Sequence, residues 1–464
     1  MPLVNDIHSA LNETHVRRIV PVGSTADVVA AVRSARREGL SVSVMGGRHA
    51  MGAQQFGTGT LLLDTRPLAR LLSFDRERGL LETEAGIFWP ALLDGYLALQ
   101  DGSSPAWGIA QKQTGADRLS LGGTLAANGH GRGLTLPPFV ADVEAFTLVD
   151  AAGEVRRCSR SEDAELFALV AGGYGLFGIV TAMTLRLVPR RKLERIVEIR
   201  RRDGLAEAFA ERIRDGFLYG DFQFSIDPAS DGYLDEGVFS CYRPVDPGTP
   251  IPAGQRELSD DDWKELLWLA HADKARAFER YAGYYLGTNG QVYWSDTHQL
   301  SPYFDGYHAD LDARRGAAGP ASEIITEIYV PRPRLADFLA AAAEDFRRHG
   351  VEVIYGTVRL IERDTESFLA WAREPWACTV LNLCTAHTPA GREQTAAAFR
   401  RLIDLAGERG GSYFLTYHKD ARREQIEACH PRFAEFLRRK SAFDPEERFQ
   451  SDWYRHHRTL FPEV

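Results

Sequence analysis

The sequence predicts an α+β fold of two domains. Segments with helical periodicity alternate with short apolar, strand-like segments along the chain. Its 464 residues are more than one ordinary hydrophobic core accommodates. Many glycines fall in three clusters, at residues 46–52, 122–133 and 172–178. These features predict a first domain organised around glycine-rich turns, followed by a second domain of mixed helices and strands.

The elements of the first domain follow from periodicity and from capping residues. Apolar residues recur with helical spacing from Thr25, capped by Ser24 or by Thr25 itself, to Gly39, which ends the helix. A polar turn at 151–154 predicts a hairpin between its two flanking strands. The other expected elements are strands Leu61–Asp64, Leu80–Glu84, Asp142–Val149, Val155–Cys158 and Ile179–Val188, and helices Phe88–Leu99 and Ser161–Ala171.

The character of the chain changes around Pro189–Lys192, where we place a domain boundary. Beyond it, Asp227–Asp260 is expected to be a polar loop. Two β-α-β units then predict an antiparallel or mixed sheet with helices covering one face. The expected elements are strands Arg195–Ile199, Asp221–Ile226, Glu323–Val330, Val351–Ile361 and Cys378–Thr385, and helices Leu205–Arg214, Leu335–Arg348 and Arg392–Ala406.

Composition narrows the class of protein. The net charge of −9 argues against nucleic acid or an anionic membrane as the main partner. Five scattered cysteines without CxxC spacing predict neither a disulfide framework nor a metal site, and reduced thiols indicate a cytoplasmic location. The first 19 residues lack the apolar run of a signal peptide, and no segment is long and apolar enough to span a membrane.

The stretch 44–52, which contains the first glycine cluster, is nearly all backbone. Glycine permits positive φ and close approach of a ligand to the amides, and successive N–H groups in such a turn form an anion site. We therefore expect it to hold a diphosphate, with His49 touching the group attached to it. The candidate binding residues here are Met45, Gly46, Gly47, Arg48, His49 and Ala50.

Two further clusters add candidate ligand contacts. The segment 115–133 removes bulk but keeps hydrogen-bonding groups, and it leaves His130 sterically exposed between two glycines. Its candidates are Gly115, Ser120, Gly122, Gly123, Asn128, Gly129 and His130. The third cluster matches GxGxxG, but a predicted helix precedes it and a predicted strand follows it. That order excludes a dinucleotide-binding Rossmann fingerprint. Its candidates are Gly175, Gly178 and Ile179, with a plain helix-to-strand turn as the alternative.

The order and spacing of these motifs resemble the flavoproteins of the vanillyl-alcohol oxidase / p-cresol methylhydroxylase type. VMGGRHA at 44–50, LGGT through NGHG at 121–131, and GYGLFGIV at 173–180 are similar to their cofactor segments, and 443–452 to their closing segment. The resemblance implies a PCMH-type FAD-binding domain at 1–190, a C-terminal α+β cap (substrate) domain at 191–425, and a segment at 426–464 that returns to the FAD domain.

The resemblance also bears on how FAD is held. In many members the histidine of the first loop is bonded to the flavin 8α-methyl group, and His49 occupies that position. The family pattern often has glycine where this chain has Arg48 and serine where it has Ala50. The resemblance therefore implies FAD, with a covalent 8α-histidyl bond at His49 as one expectation and a plain phosphate-loop histidine as the alternative.

Candidate catalytic residues lie in the second domain. Alternation along a strand puts Val353, Tyr355, Thr357 and Arg359 on one face. This strand resembles the Glu-x-Arg strand of alditol and aldonolactone oxidases, the nearest members in motif, although Thr357 stands at the Glu position. Arg359 either faces a cleft or pairs with a carboxylate such as that of Glu327.

The base that removes the substrate proton is left open among His387, Tyr417 and His418, which lie near predicted strand ends. Aromatic residues near 294–307 and the 227–260 loop are expected to shape the substrate site. Gly129 has no side chain to hinder oxygen. A surface or core role is the alternative for each histidine.

The resemblance implies an FAD-dependent oxidoreductase that transfers a hydride from a CH–OH or CH–NH donor to flavin N5. A small-molecule substrate and oxygen, or another electron acceptor, are the expected partners. Two alternatives stay open: an NAD(P)H-dependent reductase on the same FAD domain, and a non-catalytic flavin-binding protein.

Overall fold

The computed structural model describes residues 1–100 and 106–464 and has the predicted α+β fold. Strands predicted at Leu61–Asp64 and Leu80–Glu84 have those bounds. The first part contains β1 (Leu3–Val4), β2 (Thr14–His15), β3 (Arg18–Pro21), α1 (Thr25–Arg37), β4 (Val42–Met45), β5 (Leu61–Asp64), β6 (Leu71–Asp75), β7 (Leu80–Glu84), α2 (Trp89–Leu99), β8 (Trp107–Gly108), α3 (Leu121–Ala127), β9 (Val143–Val149), β10 (Val155–Ser159), α4 (Ala164–Val170), β11 (Ile179–Arg186) and β12 (Val188–Pro189).

Two larger sheets, together with the two-stranded sheets β1-β2 and β12-β8, form the first part of the molecule. Strands β3, β5 and β4 make a parallel sheet in that order, and β10, β9, β11, β7 and β6 make an antiparallel sheet. Helix α1 joins them: Ser24 caps it by accepting from the Asp27 N–H, and its buried Val28 and Val32 share a core with Leu63 and Ile179. The predicted hairpin is present, with β9 and β10 antiparallel.

The rest of the chain builds a larger sheet. Its elements are β13 (Lys192–Arg201), α5 (Leu205–Arg214), β14 (Tyr219–Phe224), β15 (Glu236–Pro244), α6 (Asp260–Ala272), α7 (Lys274–Leu286), β16 (Val292–Trp294), α8 (Tyr307–Arg315), β17 (Ala321–Pro331), α9 (Leu335–His349), β18 (Val353–Ile361), β19 (Trp376–Ala386), α10 (Pro389–Gly407), β20 (Ser412–Tyr413), α11 (Arg423–Cys429), α12 (Phe433–Phe443) and α13 (Asp452–Leu460). Short 3₁₀ helices occupy Phe139–Asp142, Thr297–Gln299 and Arg332–Arg334.

The eight strands of this sheet are antiparallel, in the order β16-β13-β15-β14-β18-β19-β17-β20. Helices α5, α9 and α10 pack together and against it, whereas α6, α7 and α8 contact β18, β13, β15 and β17. The expectation of one polar loop at 227–260 is wrong because it contains β15. That central strand is buried on both faces, so it lacks the alternation that would have revealed it.

One predicted strand face also needs correction. Val353 pairs with Leu383 and Tyr355 with the adjacent Asn382, so the register shifts between them. Such a bulge sends side chains two residues apart to opposite faces. Val353 therefore joins the hydrophobic core, while Tyr355 and Arg359 face a cavity.

The C-terminal segment packs on the first part of the chain. Phe449 forms a parallel bridge with Val42, and the Val42 N–H donates to the Arg448 carbonyl at 2.6 Å. The Asp452 carboxylate accepts from Thr58, and Phe449 lies in the core beside α1. Among the described residues, we find no helix with both the length and the apolarity that a bilayer crossing requires.

Candidate functional site

The three glycine clusters converge on one cavity, which we call the glycine-lined cavity. Each cluster supplies several wall residues although long stretches of chain separate the clusters. The predicted residues that line it are Gly46, Gly47, Arg48, His49, Ala50, Gly115, Ser120, Gly122, Gly123, Gly175, Gly178 and Ile179. The clusters thus form one binding surface.

The glycines of the first cluster also allow two loops to pack together. A Cβ added at Gly46 would lie 2.1 Å from Ser120 Oγ, and one at Gly47 would lie 2.1 Å from the Arg118 carbonyl oxygen. Arg48 has φ +61°, a left-handed conformation that glycine adopts at little cost. This geometry gives a physical reason for the glycine that the related pattern carries at the position of Arg48.

The first loop keeps unpaired donors. The N–H groups of residues 47–50 donate no hydrogen bond to any other described residue. Both ring nitrogens of His49 are buried without a partner among the described residues. Buried polar groups normally have partners, so the His49 nitrogens indicate a ligand at this loop, and the N–H groups beside them are able to bind it. Burial, followed by the nearby His8 and Arg118, lowers the pKa of His49 to about 3, so its imidazole is neutral.

The third cluster is a helix-to-strand turn, between α4 and β11, as expected. Gly175 has φ +74° and Gly178 has φ +151°, values that side chains rarely permit. A Cβ at Gly178 would also lie 1.8 Å from Leu148 Cδ1. The turn therefore needs glycine for its backbone, and it presents that backbone to the cavity.

A second cavity, the aromatic-lined cavity, lies over the eight-stranded sheet. Polar side chains of the sheet, with Arg132 from a loop, form one wall, and rings from α6, α7 and the segment 303–307 form another. The polar residues are Arg132, Asp221, Gln223, Glu323, Glu327, Arg359 and Asn382, and the aromatic residues include Trp263, Phe278, Tyr281, Tyr285, Tyr303, Phe304 and Tyr307. This combination suits a ligand with both hydroxyl groups and apolar faces.

The two cavities meet. Five residues line both of them: His8, Thr114, Gly115, Ile325 and Tyr417. Gly115 has φ +108°, and a Cβ there would meet no atom within 4 Å. A group bound along the glycine-lined cavity can therefore touch a molecule bound over the sheet.

A buried hydrogen-bonded chain reaches this junction. The Tyr417 hydroxyl donates to Glu327 Oε1 at 2.8 Å, and the Tyr329 hydroxyl donates to Oε2 at 2.9 Å. His130 Nε2 contacts Oε2 at 2.8 Å, and His130 Nδ1 contacts the Gly131 carbonyl at 3.1 Å. Both ring nitrogens of His130 therefore lie within hydrogen-bond distance of an oxygen atom.

The charges around Glu327 keep it ionised. Burial by itself would raise the pKa of this carboxyl, but His130, Arg359 and the Tyr417 hydrogen bond outweigh burial and lower it to about 2. Burial, and then the adjacent Glu327 carboxylate, raise the pKa of Tyr417 well above its usual value. Tyr417 is therefore a neutral phenol that donates to a carboxylate.

Arg359 supplies a fixed positive charge beside this chain. It is 6% exposed, its Nη1 donates to Thr114 Oγ1, and its Nε is buried without a partner among the described residues. It forms no ion pair with Glu327 within 4.0 Å, so the alternative of a structural pair between them is not observed. Thr357 and Glu327 lie in one row across the sheet, each opposite Val380, so Glu327 places a carboxylate in the row where Thr357 lacks one.

Comparison of the sequence with known proteins indicates the family of the chain. Residues 16–159 match the model of an FAD binding domain. The chain belongs to the vanillyl-alcohol oxidase / p-cresol methylhydroxylase superfamily of flavoproteins. As the sequence predicts, its relatives include proteins named as aldonolactone oxidases and dehydrogenases.

Three relatives illustrate the similarity. The flavoprotein is 28% identical over 201 residues to mitochondrial L-galactono-1,4-lactone dehydrogenase of Brassica oleracea, covering 41% of this chain and 32% of the relative. It is 26% identical to L-gulono-1,4-lactone dehydrogenase of Mycobacterium tuberculosis, covering 52% and 53% respectively. It is 32% identical to glucooligosaccharide oxidase of Sarocladium strictum, covering 34% and 30%. The matched segments thus span between 30% and 53% of these relatives.

The glycine-lined cavity fits FAD. The unpaired N–H groups of residues 47–50 suit a diphosphate, because amides in a tight turn bind anions. The unpartnered nitrogens of His49 and the open space beside Gly115 leave room and bonding capacity for a ring system at the junction.

Four predicted cofactor residues lie outside that cavity wall. Met45 is buried in another cluster, and its carbonyl accepts from Thr65. Asn128 caps α3 in a left-handed conformation and donates to Asp364. Gly129 is covered by Gln113, 2.7 Å from an added Cβ, so it forms no open path for oxygen. His130 is 4% exposed, contrary to the expectation of an exposed loop histidine, because it bonds to Glu327.

Two predicted catalytic histidines also lie away from both cavities. His387 Nε2 contacts Ser322 Oγ at 2.8 Å at the end of the sheet. His418 stacks on Phe399 with ring centroids 4.2 Å apart, and its Nε2 contacts Thr326 Oγ1. The structure therefore brings Tyr417 to the junction and Arg359 beside it, but neither histidine, because His387 follows the last residue of β19 and the chain turns at residues 415–417 just before His418.

The aromatic wall differs in part from expectation. Tyr303 and Phe304 line it, but Trp294 instead packs under the Arg190 guanidinium, 4.2 Å from the ring centroid. No residue of the 227–260 segment lines either cavity, whereas residues of helices α6 and α7 do.

Sequence reasoning missed Glu327 as a site residue and missed His8 altogether. Alternation along β17, which places Glu323, Ile325 and Glu327 on one face, was the available signal.

Buried neutral histidines predict acid sensitivity. Burial lowers the pKa of His418, His430 and His457 to about 3 from 6.5. Between those pH values the unfolded chain binds these protons and the folded chain does not, so stability falls as pH falls below about 6.5. Each group contributes about 1.4 kcal/mol per pH unit in this window. In urea titrations, we expect these three groups alone to lower the free energy of unfolding by roughly 4 kcal/mol per pH unit near pH 5.

The slope has a matched control. His430 is buried and lines neither cavity, so His430→Leu removes one titrating group without changing the candidate site. This variant should lose about 1.4 kcal/mol per pH unit of the slope. An equal free energy of unfolding at pH 7 and pH 5 would contradict the prediction.

Proposed function

We propose that this flavoprotein is an FAD-dependent oxidase of a small CH–OH (or CH–NH) donor, with oxygen as the electron acceptor. The observation that carries the proposal is the junction of the two cavities, where Tyr417 and Gly115 line both and Arg359 stands beside them. One side of the junction fits FAD and the other is a polar and aromatic cavity, which is the arrangement that oxidation of a bound donor requires.

In this proposal, three regions of the chain bind FAD and the donor. Residues 1–190 hold FAD, residues 191–425 bind the donor, and 426–464 complete the FAD domain. The cofactor contacts come from residues 46–50, Gly115, Ser120, Gly122, Gly123, Gly175, Gly178 and Ile179. Bound FAD supplies the chemistry, accepting a hydride at N5 and later passing electrons to oxygen.

Tyr417 and Glu327 together act as the base in this proposal. The Tyr417 hydroxyl takes the proton of the donor hydroxyl while its own proton moves to Glu327 Oε1, 2.8 Å away. Glu327 is ionised at neutral pH and can accept that proton. His130 holds the other carboxylate oxygen and thereby fixes the orientation of Glu327.

Arg359 stabilises negative charge at the junction. Its Nη1 is held by Thr114, which lines both cavities, while its Nε has no partner among the described residues. A fixed guanidinium in a water-poor site stabilises an oxyanion more strongly than water does. We therefore propose that Arg359 favours the charge that develops as the donor loses its proton.

The aromatic-lined cavity indicates the donor class. Asp221, Glu323 and Asn382 offer hydrogen-bonding groups on the sheet, and rings such as Trp263 and Tyr281 offer apolar faces opposite them. Glu323 is already bonded to Asn382 and His271. A neutral polyhydroxylated donor, such as the lactones and oligosaccharides named for the relatives, suits this wall better than a charged one.

The function is tested by an anaerobic screen of the purified protein. Addition of L-gulono-1,4-lactone, L-galactono-1,4-lactone or a gluco-oligosaccharide should bleach the flavin, and air should restore its colour. Bleaching by NADPH alone would instead indicate a reductase. A yellow protein that no alcohol, sugar, hydroxy acid or amine bleaches would indicate a binding protein, and a folded protein that binds no FAD would overturn the proposal.

We further predict that FAD is bound covalently through His49. The imidazole is neutral and both of its nitrogens are without a partner among the described residues, so it is able to act as a nucleophile. Acid precipitation should leave the yellow colour with the protein, and His49→Ala should release all of it to the supernatant. The control is His15→Ala, which changes an exposed histidine outside both cavities. Colour wholly in the wild-type supernatant would refute the bond.

A further inference from the structure

The N-terminal segment reaches into the junction of the two cavities. The Ile7 N–H donates to the Arg48 carbonyl at 3.0 Å, which ties this segment to the first glycine cluster. The Asp6 carboxylate accepts from the N–H groups of His8 and Ser9, at 3.1 and 2.5 Å. These bonds form a tight turn that fixes the backbone of His8.

The imidazole of His8 is held by rings on two sides. It stacks on Tyr303 with centroids 5.1 Å apart and planes at 22°. The Tyr303 hydroxyl donates to the Ile7 carbonyl at 2.9 Å, so the ring that supports His8 is itself tied to the same segment. His49 lies edge-on to His8 with centroids 6.3 Å apart. His8 therefore has one defined orientation at the junction.

One nitrogen of the His8 imidazole has no hydrogen-bond partner among the described residues. His8 is 8% exposed, and its Nε2 is buried without a hydrogen-bond partner among the described residues. Burial lowers the pKa of His8, although Glu323 and Asp6 act in the opposite direction, so the ring is neutral. A neutral imidazole nitrogen either donates or accepts, depending on the tautomer.

We propose that His8 is a substrate-binding residue, whose Nε2 hydrogen-bonds a hydroxyl or carbonyl oxygen of the donor at the junction. The inference rests on the proposed function and extends it to a residue outside both the glycine clusters and the sheet. His8 lines the aromatic-lined cavity as well as the glycine-lined one, and Tyr303, its stacking partner, lines only the former. The donor, rather than FAD, is therefore the partner that the geometry favours.

The test compares two substitutions in the FAD-loaded protein. His8→Phe keeps a ring to stack on Tyr303 and removes the nitrogen, whereas His8→Gln keeps a hydrogen-bonding group. With the lactone or gluco-oligosaccharide that bleaches the wild type, His8→Phe should raise KM about tenfold or more, and His8→Gln should raise it less. The FAD content per chain and the visible spectrum without donor should be unchanged. The control is His15→Phe, which changes an exposed residue of the same segment.

Difference spectra of the oxidised flavin, titrated with the same donor, give its Kd independently of turnover. The Kd should weaken in His8→Phe in parallel with KM. An unchanged Kd and KM, or a loss of FAD with an unchanged KM, would overturn the assignment of His8 to the donor. A wild type that neither bleaches nor changes its spectrum with any donor would overturn the proposed function, and this inference with it.

Discussion

Replacing Tyr417 with phenylalanine should lower the rate of donor oxidation by about 10²–10⁴-fold. Its hydroxyl is the group of the buried Tyr417–Glu327–His130 chain that reaches both cavities, and it donates to Glu327 at 2.8 Å. Removing it leaves the donor proton without an acceptor and the Glu327 oxygen without its hydrogen bond. The measurement is the rate of anaerobic flavin bleaching after rapid mixing with saturating donor.

The matched control is Tyr413→Phe. Tyr413 is also buried, but its hydroxyl is without a partner among the described residues and it lines neither cavity. That variant should bleach at nearly the wild-type rate. Glu327→Gln should be slow like Tyr417→Phe, since an amide is a far weaker base than a carboxylate. Bleaching of Tyr417→Phe at the wild-type rate would remove this pair from the mechanism.

Replacing Arg359 with methionine should lower kcat by roughly 10²–10³-fold. Methionine fills much of the same space but takes away the positive charge beside Glu327 and Thr114. Negative charge on the donor oxygen would then be stabilised less, and the reduction potential of bound FAD should fall for the same reason. Steady-state kinetics and a dye-equilibration measurement of the potential report the two effects separately.

Two further variants distinguish charge from packing. Arg359→Lys keeps the charge without the fork of donors and should recover part of kcat. Arg332→Met removes an arginine whose Nε is also unpartnered but which lies outside both cavities, bonded to Glu362. It should leave both kcat and the potential unchanged. Turnover and photoreduction unchanged in Arg359→Met would refute the proposed role.

The glycine clusters show what the local sequence predicts about the site and what it does not. Clustered glycines predict sharp turns and close approach, and all three clusters do line one cavity. The same pattern does not say what approaches each glycine. Gly46 and Gly47 are approached by the loop that contains Arg118 and Ser120. Gly129 is approached by the side chain of Gln113. A glycine needed for packing and one needed for a ligand look alike in sequence because both simply lack Cβ.

The strands show a similar limit. Alternation left two alternatives for Arg359, a cleft or a carboxylate partner, and the structure places Arg359 in the wall of the aromatic-lined cavity. Alternation predicted the wrong face for Val353, because a bulge shifts the register there. It also missed the strand β15, because both faces of β15 are buried and its apolar residues do not alternate with polar ones. His387 and His418 sit near predicted strand ends, yet the direction of each side chain there depends on local turns that periodicity does not encode.

By itself the sequence determined the α+β class, most elements, the three glycine clusters that line one cavity and two of the junction residues, because burial periodicity and glycine placement are local properties. The tertiary structure alone decided that His8, Glu327 and Tyr417 lie at one place, and that the Glu327 carboxylate shares a cross-strand row with Thr357. The register of the antiparallel sheet and the path of the N-terminal segment bring these residues together. Both depend on packing between elements far apart in the chain, which no local pattern records.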